Sequence, residues 1–214
     1  MNKYMGFRKK EWLFLLRWTV ATTVSFTLGS PFILTVMFFA GFSMDGGSLG
    51  NLTTLISFTL VGLIIGASIG FGQTLALIGQ AKQPILWLPV SVFGGTLGGF
   101  LVGLVSLTSF ELAFILSAAM PGIFLGIAQK IVLIKFLKKA TGWIIANIIS
   151  LTSAQVVLVA GLANMGADRI LNIINFKLSF RLFIDLIIIF ASVAVVGSIT
   201  GINLTWLLKN FKKE

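Results

Sequence analysis

Gln73 and Gln129 are the side chains whose type and position first suggest chemistry in this chain. Each lies about two turns before the basic end of a long apolar run, where an amide must find partners for both donor and acceptor with little water at hand. Asn147, Gln155 and Ser91 share such apolar surroundings. Two readings stand for this polar set. Either each group bonds a neighbouring helix or loop carbonyl, typically worth about 0.6–2 kcal/mol, or together they form a polar cluster that binds a headgroup or solute. Catalysis is poorly served. Cysteine and histidine are both absent, which excludes disulfides, thiol chemistry, His or Cys metal sites, haem ligation by His and any His-based triad. Glu111 and Asp185 have no second carboxylate at catalytic spacing. The first begins a helix, whose N-terminus favours an anion, and the second follows Arg181 by four residues, an ordinary helical ion pair. No catalytic residue, metal or cofactor is expected.

The two glutamines belong to a pattern that occurs twice, 56 residues apart. Gly66, Gly70, Gln73, Leu77, Lys82 and Trp87 are matched by Gly122, Gly126, Gln129, Leu133, Lys138 and Trp143. A partial third copy runs through Gly197, Gly201, Leu208 and Lys213 and places Leu204 where the others have Gln. Such self-similarity has to be recognised before any fold is assigned.

Composition says what surrounds the repeat. Apolar residues make up 57% of the chain and charged residues 10%, against about 25% charged in an ordinary soluble domain. Segments near 18–42, 52–79, 85–106, 111–134, 142–164 and 181–208 are each long enough to cross a bilayer as a helix. Barrel strands would alternate in polarity, and these runs do not. The expected fold is therefore an all-α integral membrane protein, one domain over residues 1–214 with six spans. The net charge of +10 does not point to nucleic acid, because the chain has almost no soluble surface on which to build a basic face. With the amino terminus in the cytoplasm, every Lys and Arg except Arg169, Lys177 and Arg181 falls on the cytoplasmic side. The positive-inside rule then puts both termini there. The basic, apolar start resembles a signal sequence but is long and lacks a clear cleavage site, so it reads as a retained first span.

The helices that enter from the inside carry their own signature. At +4, +7 and +11 from the Trp, the third span has Ser91, Gly94 and Gly98, the fifth has Asn147, Ser150 and Ala154, and the first, counted from Trp18, has Thr22, Ser25 and Gly29. These offsets share one helical face. Three equivalent hairpins follow, from spans two and three, four and five, and six with one. The repeat is then circularly permuted about a pseudo-threefold axis along the membrane normal. Small residues suit this arrangement, because helices in lipid associate through close backbone approach. Gly62, Gly66, Gly70, Ala118, Gly122, Gly126, Gly197 and Gly201 are the expected packing positions.

Pro121 is expected to kink the fourth span. The 43–51 segment reads as an outer turn, and residues 170–176 as a helix lying on the outer leaflet. Lys130, Lys135, Lys138 and Lys139, with Lys82, Lys209, Lys212 and Lys213, would coat the cytoplasmic rim. Each would attract anionic lipid by about 1 kcal/mol.

The element Gly122-x3-Gly126-Ile127-Ala128-Gln129, with Leu133 and Trp143 behind it, resembles uncharacterised bacterial, often cyanobacterial, multi-pass proteins with repeated G-x3-G-x-A-Q hairpins. The resemblance covers roughly residues 60–150 and 195–209 and implies hairpin packing in a bacterial plasma (inner) membrane. It implies no mechanism. Gly72 replaces the Ala in the first copy, and Leu204 the Gln in the third. Two function classes stay open. One is a non-enzymatic module, an accessory or scaffold subunit with the bilayer, anionic lipids and another membrane protein as partners. The other is a small-molecule binding or transport protein, since size and span number look similar to the substrate-binding subunits of energy-coupling-factor importers, with Ala21-x3-Ser25-x3-Gly29 as a docking face. A central cavity lined by Asn147, Gln155 and Ser91 would favour the second, and a filled axis the first.

Overall fold

The computed structural model describes residues 9–42, 48–81, 83–135, 137, 139–163 and 178–211. It is all-helical. α1 spans Lys9–Phe42, α2 Ser48–Leu77, α3 Trp87–Ser106, α4 Phe110–Leu133, α5 Thr141–Ala163 and α6 Leu178–Phe211, with a short 3-10 turn at Pro84–Leu86 leading into α3. Among the described residues, four segments are long and apolar enough to cross a membrane: Gly50–Leu77, Pro84–Ser106, Glu111–Leu133 and Ile187–Asn210. The membrane-compatible surface is evident in Leu28, Ile115 and Phe93, each about two-thirds exposed on the outside of the bundle. Two boundaries differ from expectation. α1 begins at Lys9, well before Trp18, and the 48–51 stretch, expected to belong to an outer turn, is already the first turn of α2. The expected helix at residues 170–176, and the side chains of Arg181 and Asp185, lie outside the described residues.

Each helix packs on its neighbour in sequence, and α1 packs on α6, so the six form a closed ring. Glycine makes the contacts short. A Cβ at Gly62 would lie 2.8 Å from Gly99 Cα, and one at Gly95 would lie 2.8 Å from Gly66 Cα, so α2 and α3 meet backbone to backbone. The other side of α3 does the same against α4, where a Cβ at Gly98 would lie 2.5 Å from Pro121 Cα. Around the ring, Gly122 faces Ile148 of α5, Gly126 faces Ile144, and Gly197 faces Thr19 of α1, with Cα atoms 3.0, 2.8 and 2.9 Å from the added carbon. A larger side chain at any of these sites must displace main chain. Gly201 differs, because its nearest neighbours are the side chains of Leu15 and Trp18. Ala118 packs on the side chains of an interior apolar cluster.

The Ala21, Ser25 and Gly29 face of α1 is covered by α2. Gly72 abuts the Ala21 carbonyl and the Ser25 hydroxyl, and Gly29 abuts Ser68, so this face is not free for docking. The end of α2 is tied down as well. Arg17 donates to the carbonyls of Leu75 (2.6 Å) and Ile78 (3.3 Å), the orphan acceptors of a helix C-terminus. Gly79 then turns the chain with φ of 81°, a left-handed conformation that glycine adopts without Cβ strain. Ser109 caps α4 by accepting from Leu112 N–H at 3.2 Å.

Candidate functional site

At the end of the ring where α1, α3 and α5 begin, the three Trp residues meet. Ring centroids of Trp18, Trp87 and Trp143 are 6.1, 6.0 and 5.7 Å apart, with edge-to-face angles of 80°, 82° and 69°. All three are fully buried, so each indole N–H must have an acceptor. Trp87 donates to Gln73 Oε1 (2.6 Å), Trp143 to Gln129 Oε1 (2.9 Å) and Trp18 to Thr200 Oγ1 (3.0 Å).

The last bond corrects the register read from the sequence. Thr200, not Leu204, stands to Trp18 as the glutamines stand to their Trp residues. The shift is one helical turn, and it holds layer by layer. Leu204 takes its place beside Leu77 and Leu133 in the apolar cluster around the indoles. Val196 joins Ile69 and Leu125 one turn deeper. Gly197 meets Thr19, the residue after Trp18, as Gly126 meets Ile144, the residue after Trp143.

Polar groups link the three positions. Gln129 Nε2 donates to Gln73 Oε1 and to Ser91 Oγ, both at 2.8 Å. Ser91 and Asn147, each four residues past a Trp, donate back to the carbonyls of Trp87 and Trp143. Taking the same step from Gln73 leads to Thr200 and Thr22, and from Thr200 to Gln129 and Asn147. Threonine is too short to complete it, and its hydroxyl donates to the Val196 carbonyl at 2.7 Å. The circuit is open there, and three buried atoms around it have no hydrogen-bond partner: Gln73 Nε2, Thr22 Oγ1 and Asn147 Oδ1. Thr23 Oγ1 and Asn203 Oδ1 are also unpartnered, and nothing in this geometry explains them.

Above the layer of Ile69, Leu125, Val196 and Leu151 the packing opens into a cavity of about 330 Å³. Leu151 and Val196 form its floor, and Phe26, Ile65, Ala118 and Ala154 stand around it. Its wall comes from α1, α2, α4, α5 and α6. α3 has no part in it. At 8, 11 and 12 residues past their Trp, α1 and α5 present Phe26, Ser30, Leu151, Ala154 and Gln155 to the cavity, while α3 has Gly95, Gly98 and Gly99, spent on close packing. Among the described residues no charged side chain lines it.

Gln155 Nε2 donates to the Phe114 carbonyl (2.7 Å) and the Ser117 hydroxyl (2.8 Å) on α4, as the first of the two readings, a bond to a neighbouring helix, expects. Both partners stand on the turns before Pro121, which has no N–H to donate to the Ser117 carbonyl four residues back. Pro31 creates the same deficit for the carbonyl of Thr27, and Ser30 Oγ donates to that carbonyl at 2.8 Å.

Of the expected polar residues, Gln73, Gln129, Asn147 and Ser91 come together, fully buried, in the packed layer, and Gln155 alone reaches the cavity. Ser30, Ser117 and Ser192, which also line it, were missed. Their only sequence signal is the nearby proline in two of three cases, and serine is common wherever membrane helices meet. Compared with protein families, with curated proteins and with solved structures, the chain matches none.

Proposed function

We propose that this chain is a six-span membrane protein, three hairpins about a pseudo-threefold axis, that binds a small molecule in the outer half of the ring and is sealed in the inner half. The single observation that carries the reading is the cavity of about 330 Å³ above a fully buried Trp and amide layer. Apolar pockets of about 300–1,000 Å³ with a few convergent polar groups are the usual form of small-molecule sites. The six-span reading draws support from the lengths of α1 and α5, 34 and 23 residues, or about 51 and 35 Å at 1.5 Å per residue. The threefold reading draws support from the contact of α1 with α6 and from the equivalent Trp bonds. The basic residues orient both termini to the cytoplasm of a plasma membrane, so the sealed layer faces inward and the cavity lies toward the outer leaflet.

The role is non-enzymatic. Of the two classes left open by the sequence, binding is favoured over a pure scaffold because the axis is filled only in its inner half. Native mass spectrometry of protein extracted gently from its membrane tests the reading. The wild type should carry a small molecule that Ala154→Phe, which fills the cavity, loses. Equally empty spectra from both would refute it.

A further inference from the structure

Resting on that reading, we infer that the ligand is neutral and is held through its own O–H or N–H groups, because the cavity offers unpaired hydrogen-bond acceptors and no unpaired donors. Every donor on the polar wall is already committed. Ser30 Oγ donates to Thr27 O, Ser117 Oγ to Phe114 O and Ser192 Oγ to Ile189 O, at 2.8, 2.7 and 2.8 Å. Both Nε2 hydrogens of Gln155 are used, one on Phe114 O and one on Ser117 Oγ. The amide cannot turn over, since that would set its oxygen against the Phe114 carbonyl.

What is left over is acceptor capacity. Among the described residues no donor reaches the oxygens of Ser30 and Ser192 or the Gln155 carbonyl, and the Ser117 carbonyl lacks its helical donor because of Pro121. A ligand with only acceptors would meet lone pairs on every polar side. An ion would fare worse, since with no counter-charge on the wall its desolvation would go unrepaid. Size narrows the class further. A cavity of ~150 Å³ takes benzene, so this one has room for about two fused rings or an equivalent hydrocarbon body. The geometry points to a compact alcohol, phenol, indole or amide, apolar over most of its surface.

Four probes of one shape separate the possibilities: 2-naphthol, 2-methoxynaphthalene, naphthalene and 2-naphthoate. Their binding is followed by probe fluorescence with the full chain in lipid nanodiscs, against empty nanodiscs. The expected result is that 2-naphthol binds about tenfold tighter than the methoxy and parent compounds, that 2-naphthoate is excluded, and that Ala154→Phe abolishes binding of all. The double variant Ser30→Ala, Ser192→Ala should still bind naphthalene and lose most of the preference for naphthol. Equal affinity for the three neutral probes, still abolished by Ala154→Phe, would overturn the donor class and leave the cavity reading intact. Tighter binding of 2-naphthoate would overturn neutrality. No probe signal sensitive to Ala154→Phe would overturn the binding reading itself.

Discussion

Replacing Thr200 by Val tests the register of the Trp and amide layer with little change of shape. The Trp18 indole has one N–H, fully buried, and Thr200 Oγ1 accepts it at 3.0 Å. Valine keeps the volume and removes the acceptor. The other bond of the hydroxyl, to the Val196 carbonyl within its own helix, is a local back-bond of small net value. The cost is therefore that of a stranded indole N–H, about 1–3 kcal/mol in a protein interior and about 0.6–1.7 kcal/mol for polar contacts measured between membrane helices. An expectation of about 1.5 kcal/mol corresponds to roughly 3–6 °C in the melting temperature for a chain of this size. Trp18→Phe removes the donor and carries its own packing cost, so the informative quantity is the coupling in a double-mutant cycle. In the Trp18→Phe background, Thr200→Val should cost less than about 0.5 kcal/mol. Melts in detergent, followed by helical circular dichroism, measure all four corners. If Thr200→Val costs the same with and without Trp18, the bond does not support the layer and the corrected register loses its main argument.

Leu204→Gln follows from the same register: it buries an amide in the apolar cluster with Leu77 and Leu133 and should lower stability by about 2–4 kcal/mol, whereas a stabilised variant would restore the register read from the sequence. Thr200→Gln has the reach to engage Gln73 and Asn147 and should melt above Thr200→Val; melting below it would mean that these atoms are not parts of one circuit. Gly122→Leu must displace the Ile148 backbone and should lower the melting temperature by several degrees, so an unchanged melt would remove that site from the helix interface. Reporter fusions after residues 47, 82, 108, 139, 172 and 214 should alternate outside and inside, ending inside, and an outside carboxyl terminus would end the orientation argument.

The helices were legible because their causes are local. Long apolar runs with few charges allow little else, since every backbone polar group in lipid must be satisfied within its own segment. Gly66, Gly122 and their neighbours were legible as contacts for a related reason: membrane helices gain most from backbone approach, and only small residues permit it. The third copy was not legible in register. Gly197, Gly201, Leu208 and Lys213 align with the earlier copies, yet Gly197, Leu204 and Lys209 also align, one turn away, with Gly70, Leu77 and Lys82, three matches against four. A pattern with a four-residue step is degenerate under a four-residue slip. The reach of the Trp18 N–H to Thr200, a residue that shares no chemistry with glutamine beyond an acceptor oxygen, decides between them, together with the layers that Leu204 and Val196 join. The cavity was likewise invisible, because it arises from a difference between helices: Gly95, Gly98 and Gly99 draw α3 tightly between α2 and α4, while Phe26 and Ser30 on α1 and Leu151, Ala154 and Gln155 on α5 border the space facing the axis. Residue types determine what each helix can bury; whether three such helices fill the centre or leave it open depends on volumes that only meet in the folded ring.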